Sequence, residues 1–137
     1  MNRKELRHLA RIRLKEARVL LRAGCFAGAY YLCGYAVECA LKACIAKDTK
    51  RSEFPDLERV KSSYTHKLAA LVIVADLNAP LDAEYAADPA FRVNWDTATD
   101  WSEKDRYVEH SEQKATGLYQ AITDRKHGVM RWIRRYW

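Results

Sequence analysis

One acid stands in the middle of an apolar run. Glu38 lies in CFAGAYYLCGYAVECALKACIAK, residues 25–47, where the only other charges are Lys42 and Lys47. A buried carboxylate without a partner is costly, so Glu38 must find a cation or take up a proton. Lys42 follows at the i,i+4 spacing, with the acid on the N-terminal side, the favourable order on a helix. Two readings stay open: an internal ion pair at the rim of a core, or a polar cleft lined by Glu38 and Lys42 together with Tyr31 and Tyr35 on nearby turns.

Other chemistries find less support. Cys25, Cys33, Cys39 and Cys44 form no C-x-x-C pair and lie on or at the edge of the same apolar run. Cysteine there reads as a small packing hydrophobe in a reducing compartment. Glu5-Leu6-Arg7-His8 matches Glu-x-x-His, but a di-metal bundle needs two such motifs and two further Glu. No metal and no cofactor is therefore expected. The chain has no G-x-S-x-G, no phosphate loop and no dinucleotide fingerprint, so an enzyme built on it would work with side chains projecting from helices.

Helical periodicity supplies the elements that hold these groups. Residues 3–23 place Leu6, Leu9, Leu14, Ala17 and Leu20 on one amphipathic stripe, and Gly24 fits the stop. Residues 25–47 read as the central, most buried helix, with Gly28, Gly34, Ala36 and Ala40 small enough to let neighbours approach closely. The stretch 48–65 reads as a connection with a short helical turn after Pro55. Thr65 is placed to cap a third helix, HKLAALVIVADL, which Asn78-Ala79-Pro80 would end. Asp88-Pro89 has the form of an N-cap followed by proline at the first helical position, opening a helix around Phe91, Val93 and Trp95. Residues 96–110 are polar and acidic without a clear period. Ser111-Glu112 opens a long helix to the terminus, with Gly117 and Gly128 as the points where it can kink. The expected fold is an all-α, up-and-down bundle of four major helices with shorter pieces, forming one domain over 1–137.

Composition agrees with that fold and narrows the function. The chain has 137 residues, 49% of them hydrophobic, with 24 Lys and Arg against 18 Asp and Glu for a net charge of +6. Wholesale disorder is excluded. No apolar run reaches the ~18 residues of a membrane helix, and the charged N-terminus lacks a signal-peptide core, so a soluble cytoplasmic protein without membrane contact is expected. The charge is uneven. Basic residues crowd both ends, including Arg3, Arg7, Arg11 and Arg134, whereas residues 76–110 carry nine acids against Arg92, Lys104 and Arg106. If the first and last helices pack side by side, their outer faces form a basic surface suited to phosphates; otherwise they are solvated helix faces.

The run Leu14-Lys15-Glu16-Ala17, Leu20-Leu21, Gly24, Gly28-Ala29-Tyr30-Tyr31-Leu32 and Gly34 through Ala43 resembles the first two helices of HEPN-domain proteins. Tyr64-Thr65-His66-Lys67-Leu68 resembles the start of their third helix, and Trp101, Arg106-Tyr107 and Gly128 to Ile133 fit their C-terminal part. The resemblance implies a helical bundle that pairs as a homodimer. It also implies RNA or nucleotide as ligand and, in many members, a small nucleotidyltransferase partner in a toxin–antitoxin or defence setting. Active members are metal-independent ribonucleases with an Arg and a His separated by four to six residues. Arg106-Tyr107-Val108-Glu109-His110 is the candidate near the last helix, with three residues between. Arg3 and His8, and Arg59 and His66, have compliant spacing in other segments, at about the frequency expected by chance. On a helix Arg106 and His110 would share a face. Arg106 could instead supply the cation for Glu38, leaving Tyr107 to pack. Three functions follow: a phosphate-binding or regulatory module with Glu38, Lys42, Tyr31, Tyr35 and Tyr107 around its cleft, a ribonuclease toxin using Arg106 and His110, or a non-catalytic interaction protein.

Overall fold

The computed structural model of the chain describes residues 1–49 and 56–137. Helix α1, Arg3–Arg22, opens with a capping box: Asn2 Oδ1 accepts the Glu5 N–H at 3.0 Å, and Glu5 returns the bond to the Asn2 N–H at 2.8 Å. It buries Ala10, Leu14 and Ala17, the centre of the expected stripe. Gly24, with φ of 77°, reverses the chain into α2, Phe26–Thr49. The two form a hairpin in which Gly28 lets the Leu20 methyl approach. Helix α2 is buried on almost every side, as its composition requires. Cys33, Cys39 and Cys44 are buried and Cys25 is exposed. Burial raises the Cys33 and Cys44 thiols to about 12, which suits packing and not reactivity.

Beyond α2 the chain is cut more finely than four major helices. A short α3, Leu57–Ser62, stands where a turn was expected, while Pro55 lies outside the described residues. Helix α4 is only Leu68–Val74 and takes Lys67, not Thr65, as its N-cap. Thr65 Oγ1 instead accepts the Lys67 N–H at 3.2 Å in the preceding turn. Val72-Ile73-Val74 is helical, and Asp76, at φ of 58°, ends the segment. Asn78-Ala79-Pro80 does not stop a helix but starts one, α5, Asn78–Ala87. Pro80 falls in its first turn, where the missing N–H has no intrahelical acceptor to lose.

Helix α6, Pro89–Thr99, begins as expected. Asp88 Oδ1 accepts the Ala90 and Phe91 N–H groups at 3.0 and 3.1 Å, and Pro89 is the first helical residue. A 3-10 helix, Glu103–Tyr107, then leads to α7, Glu112–Thr123. The long terminal helix expected from 111 onward is broken between α7 and α8, Val129–Ile133. Gly117 passes through without a kink. The chain leaves the helix at Asp124, with ψ of 130°, and Gly128 opens α8 as its N-cap, where a Cβ would lie 2.3 Å from the Asp124 carbonyl oxygen.

Helices α1 and α7 pack against α2, and α6 packs on α7. One hydrophobic cluster runs from Ala10 to Trp137. Phe91, Trp95, Trp132 and Tyr136 form its aromatic end, with ring centroids 5.4 to 6.4 Å apart.

Asp88 also ties α6 to the α7–α8 link. Its Oδ2 lies 2.7 Å from His127 Nδ1, and Asn94 Nδ2 donates to the His127 carbonyl at 3.0 Å. The His127 hydrogen bond first, and then the capping N–H groups, hold the Asp88 carboxyl below the usual carboxylate range. A folded-state value below the unfolded one adds stability above the unfolded value, which is lost as pH falls through the folded one. Asp88→Asn should therefore flatten the acid limb of the stability curve. Denaturant midpoints measured from about pH 5 downward check this, and an unchanged acid slope contradicts it.

Candidate functional site

Among the described residues Glu38 is the buried acid, 2% exposed, and it forms the ion pair that its sequence context called for. Its Oε1 accepts from Lys42 Nζ at 2.9 Å and lies 2.9 Å from His66 Nδ1. Glu38 and Lys42 also border a cleft of about 360 Å³ between α1 and α2, with Tyr35, Leu6 and Leu9 in its walls; Tyr31 and His66 lie outside it. Burial, then the neighbouring Cys39 and Glu38, raises the Tyr35 hydroxyl above its ordinary value. Tyr31 stacks on Tyr35, ring centroids 6.2 Å apart, and turns towards Trp101 at 6.0 Å. The pairing of Arg106 with Glu38 is not what forms. Lys42 and His66 take that carboxylate, and His66 Nε2 reaches on to Glu103 Oε2 at 3.0 Å.

Arg106 and His110 part company at the end of the 3-10 helix. That helix stops at Tyr107, and Val108 is extended, so the one-face helical spacing is not realised. Arg106 is exposed and lies 4.9 Å over the ring of Tyr107, itself 78% exposed, so Tyr107 does not pack. The His110 side chain is 3% exposed and stacked on Tyr30, centroids 3.9 Å apart. Its Nε2 is 3.2 Å from Asp105 Oδ1, an ion-pair distance without hydrogen-bond alignment. Burial, then Asp105 and Asp100, pushes the Tyr30 hydroxyl up to about 12.

The strongest gathering of charge lies elsewhere, where α1 meets the end of the chain. Arg7, Arg11 and Arg134 place their guanidinium carbons 5.1, 5.1 and 5.7 Å from the Trp137 ring centre. Arg3 donates to a main-chain oxygen of Trp137. Among the described residues none of these four arginines forms an ion pair with Asp or Glu, and the Nε groups of Arg3 and Arg7 have no hydrogen-bond partner. Burial, and then the like charge of Arg11, lower the Arg134 guanidinium below its ordinary value. Arg125 and Arg131 line an adjoining cleft of about 220 Å³ with Arg134.

Sequence spacing exposed half of this face. Arg3, Arg7 and Arg11 follow at i,i+4 and must share a side of α1, but nothing local announces that Trp137 folds back onto them. His66, 28 positions on, was likewise missed as the partner of Glu38, and Glu103, in a stretch without periodicity, as the acid on the other nitrogen of that ring. Among the described residues no cluster of His, Cys, Asp and Glu could hold a metal ion, and no helix is long and apolar enough to cross a membrane.

A family model described as the HEPN domain matches residues 4–122. No curated protein and no solved structure matches the chain.

Proposed function

The chain belongs to the HEPN domain family, and from that premise we propose that it is a binding module for RNA or nucleotide phosphates that regulates and does not cleave. The observation that carries this reading is the set of arginines around Trp137, held without an Asp or Glu partner among the described residues. Guanidinium groups pressed together repel, so an anion between them relieves a cost the free protein bears. A phosphodiester chain supplies such anions. The exposed position of Arg106 and the burial of His110 against Tyr30 favour binding over cleavage by that pair. The homodimer and the small nucleotidyltransferase partner, in a toxin–antitoxin or defence setting, are proposals drawn from the family resemblance. An apolar groove along α1, with Ile12, Val19 and Leu20 meeting Leu32 of α2, offers a face for the second copy.

Fluorescence anisotropy with labelled single-stranded RNA tests the reading. Affinity should fall steeply with salt, and Arg7→Gln/Arg11→Gln/Arg134→Gln should lower the log–log salt slope by about 2, as expected for three lost phosphate contacts at ~0.7 each. An unchanged slope overturns the assigned face. Incubation with EDTA should leave the RNA intact, and cleavage abolished by His110→Ala would establish the ribonuclease instead. Sedimentation of the same preparation should give the mass of two chains.

A further inference from the structure

His66 is held from behind. Its Nδ1 is 2.9 Å from Glu38 Oε1, and that carboxylate is itself fixed by Lys42 at 2.9 Å. The ring cannot turn without stripping a partner from a buried charge. Its Nε2 is therefore presented to a second cleft, of about 480 Å³, between the segment entering α4 and the 3-10 helix. Glu103 already occupies that nitrogen, with Oε2 at 3.0 Å. The Glu103 side chain is 41% exposed and rides on a five-residue helix that contributes no buried residue. Its carboxylate is an occupant that can leave at little cost.

What surrounds this place is an excess of donors. Lys67 and Lys104 line the cleft, are exposed, and form no ion pair among the described residues. Thr65, Thr99 and Ser102 add hydroxyl groups, with Asp100 as the other acid in the wall. Trp101 lines it too. That residue is 3% exposed, and its indole N–H has no hydrogen-bond partner among the described residues. Nothing here suits a cation, because the cleft's own cations outnumber its free acids once Glu103 is set against His66.

We propose that this cleft is an anion site for a phosphate monoester group, which displaces Glu103 and is received by His66, Lys67 and Lys104. Glu103 is then a built-in competitor: a carboxylate that keeps the donors occupied until a more highly charged, acceptor-rich group arrives. Glu38 acts through His66 as a positioning residue, with Lys42 balancing its charge. The site shares no residue with the arginine face, so it does not depend on the RNA-binding reading.

Inorganic phosphate, titrated into the full chain at constant ionic strength, is the probe, and the His66 ring C–H and Trp101 indole N–H resonances are the readouts. Both should shift and saturate together. Glu103→Gln should tighten the apparent affinity roughly threefold, the size of an exposed ion pair removed from competition. Lys67→Ala/Lys104→Ala, at two exposed positions that leave the core untouched, should weaken it roughly tenfold. Arg7→Gln/Arg11→Gln should leave the titration unchanged, which separates this site from the arginine face. Shifts that fail to saturate, that persist in the lysine variant, or that weaken in Glu103→Gln would overturn the assignment.

Discussion

Gly34→Ala should destabilise the protein by about 3 kcal/mol or more, lowering the thermal midpoint by roughly 10 °C. Substitution of glycine by alanine inside a helix ordinarily stabilises, by up to about 1 kcal/mol, so the sign itself is diagnostic. At this position of α2 a Cβ would lie 2.1 to 2.2 Å from three atoms of the Trp101 ring. No real contact is that short, and the ring has nowhere to go. It is 3% exposed and closed in by Tyr31 on the neighbouring turn. The variant must either eject Trp101, losing the burial of an indole, or spread α2 from the 96–102 segment. A Trp101→Ala background decides between a steric and an intrinsic cause. With the indole gone, Gly34→Ala should become neutral or stabilising. Denaturant unfolding of the four proteins in this cycle gives the coupling directly, and an equal cost in both backgrounds would refute the stacking argument.

That contact also shows what could be read in advance. The small residues of α2 announce close approach, and the hairpin of α1 and α2 follows from local patterns: a stripe at helical spacing, a glycine stop, and an apolar run with no proline. What approaches Gly34 is not local. Trp101 arrives from a polar, acidic stretch with no period, 67 positions later, because tertiary packing outweighs the local pattern there. The boundaries that went astray share that cause. Asn78-Ala79-Pro80 has the chemistry of a stop and also of a first turn, and only the packing of α5 on α6 selects the second. Gly128 carries the signal for a weak helix. The helix ends four residues earlier, at Asp124, and Gly128 is the N-cap of α8, where the missing Cβ lets the chain pass the Ile122 and Asp124 carbonyls and seat Trp132 and Ile133 in the core. The charge pattern behaves in the same way. The basic ladder on α1 was legible at i,i+4, whereas its aromatic platform depends on Trp137 reaching back across the bundle.

Lys42→Met should cost about 2 kcal/mol, and Lys42→Met/Glu38→Gln should recover most of that loss. The asymmetry rests on which partner is buried. The Glu38 side chain is 3% exposed, that of Lys42 23% and that of His66 46%. Removing one member of a buried pair strands the other, at about 3–5 kcal/mol for a pair wholly out of water. Here the figure must be reduced, because Lys42 is partly solvated and His66 remains beside the carboxylate. Methionine keeps the length and packing of the lysine stem, so the loss reports charge and not volume. Glutamine at 38 keeps the shape and can still accept from His66 Nδ1, but it brings no charge to be stranded. The alternative is that Lys42 contributes through its stem alone. In that case Lys42→Met is nearly silent and Glu38→Gln changes stability by the same amount in either background. Urea midpoints for the wild type, both single variants and the double variant distinguish these outcomes. A coupling near zero would mean that the acid in the middle of α2 is satisfied by His66 alone, while a coupling above about 1 kcal/mol would establish the i,i+4 pair as what allows a carboxylate to be buried there.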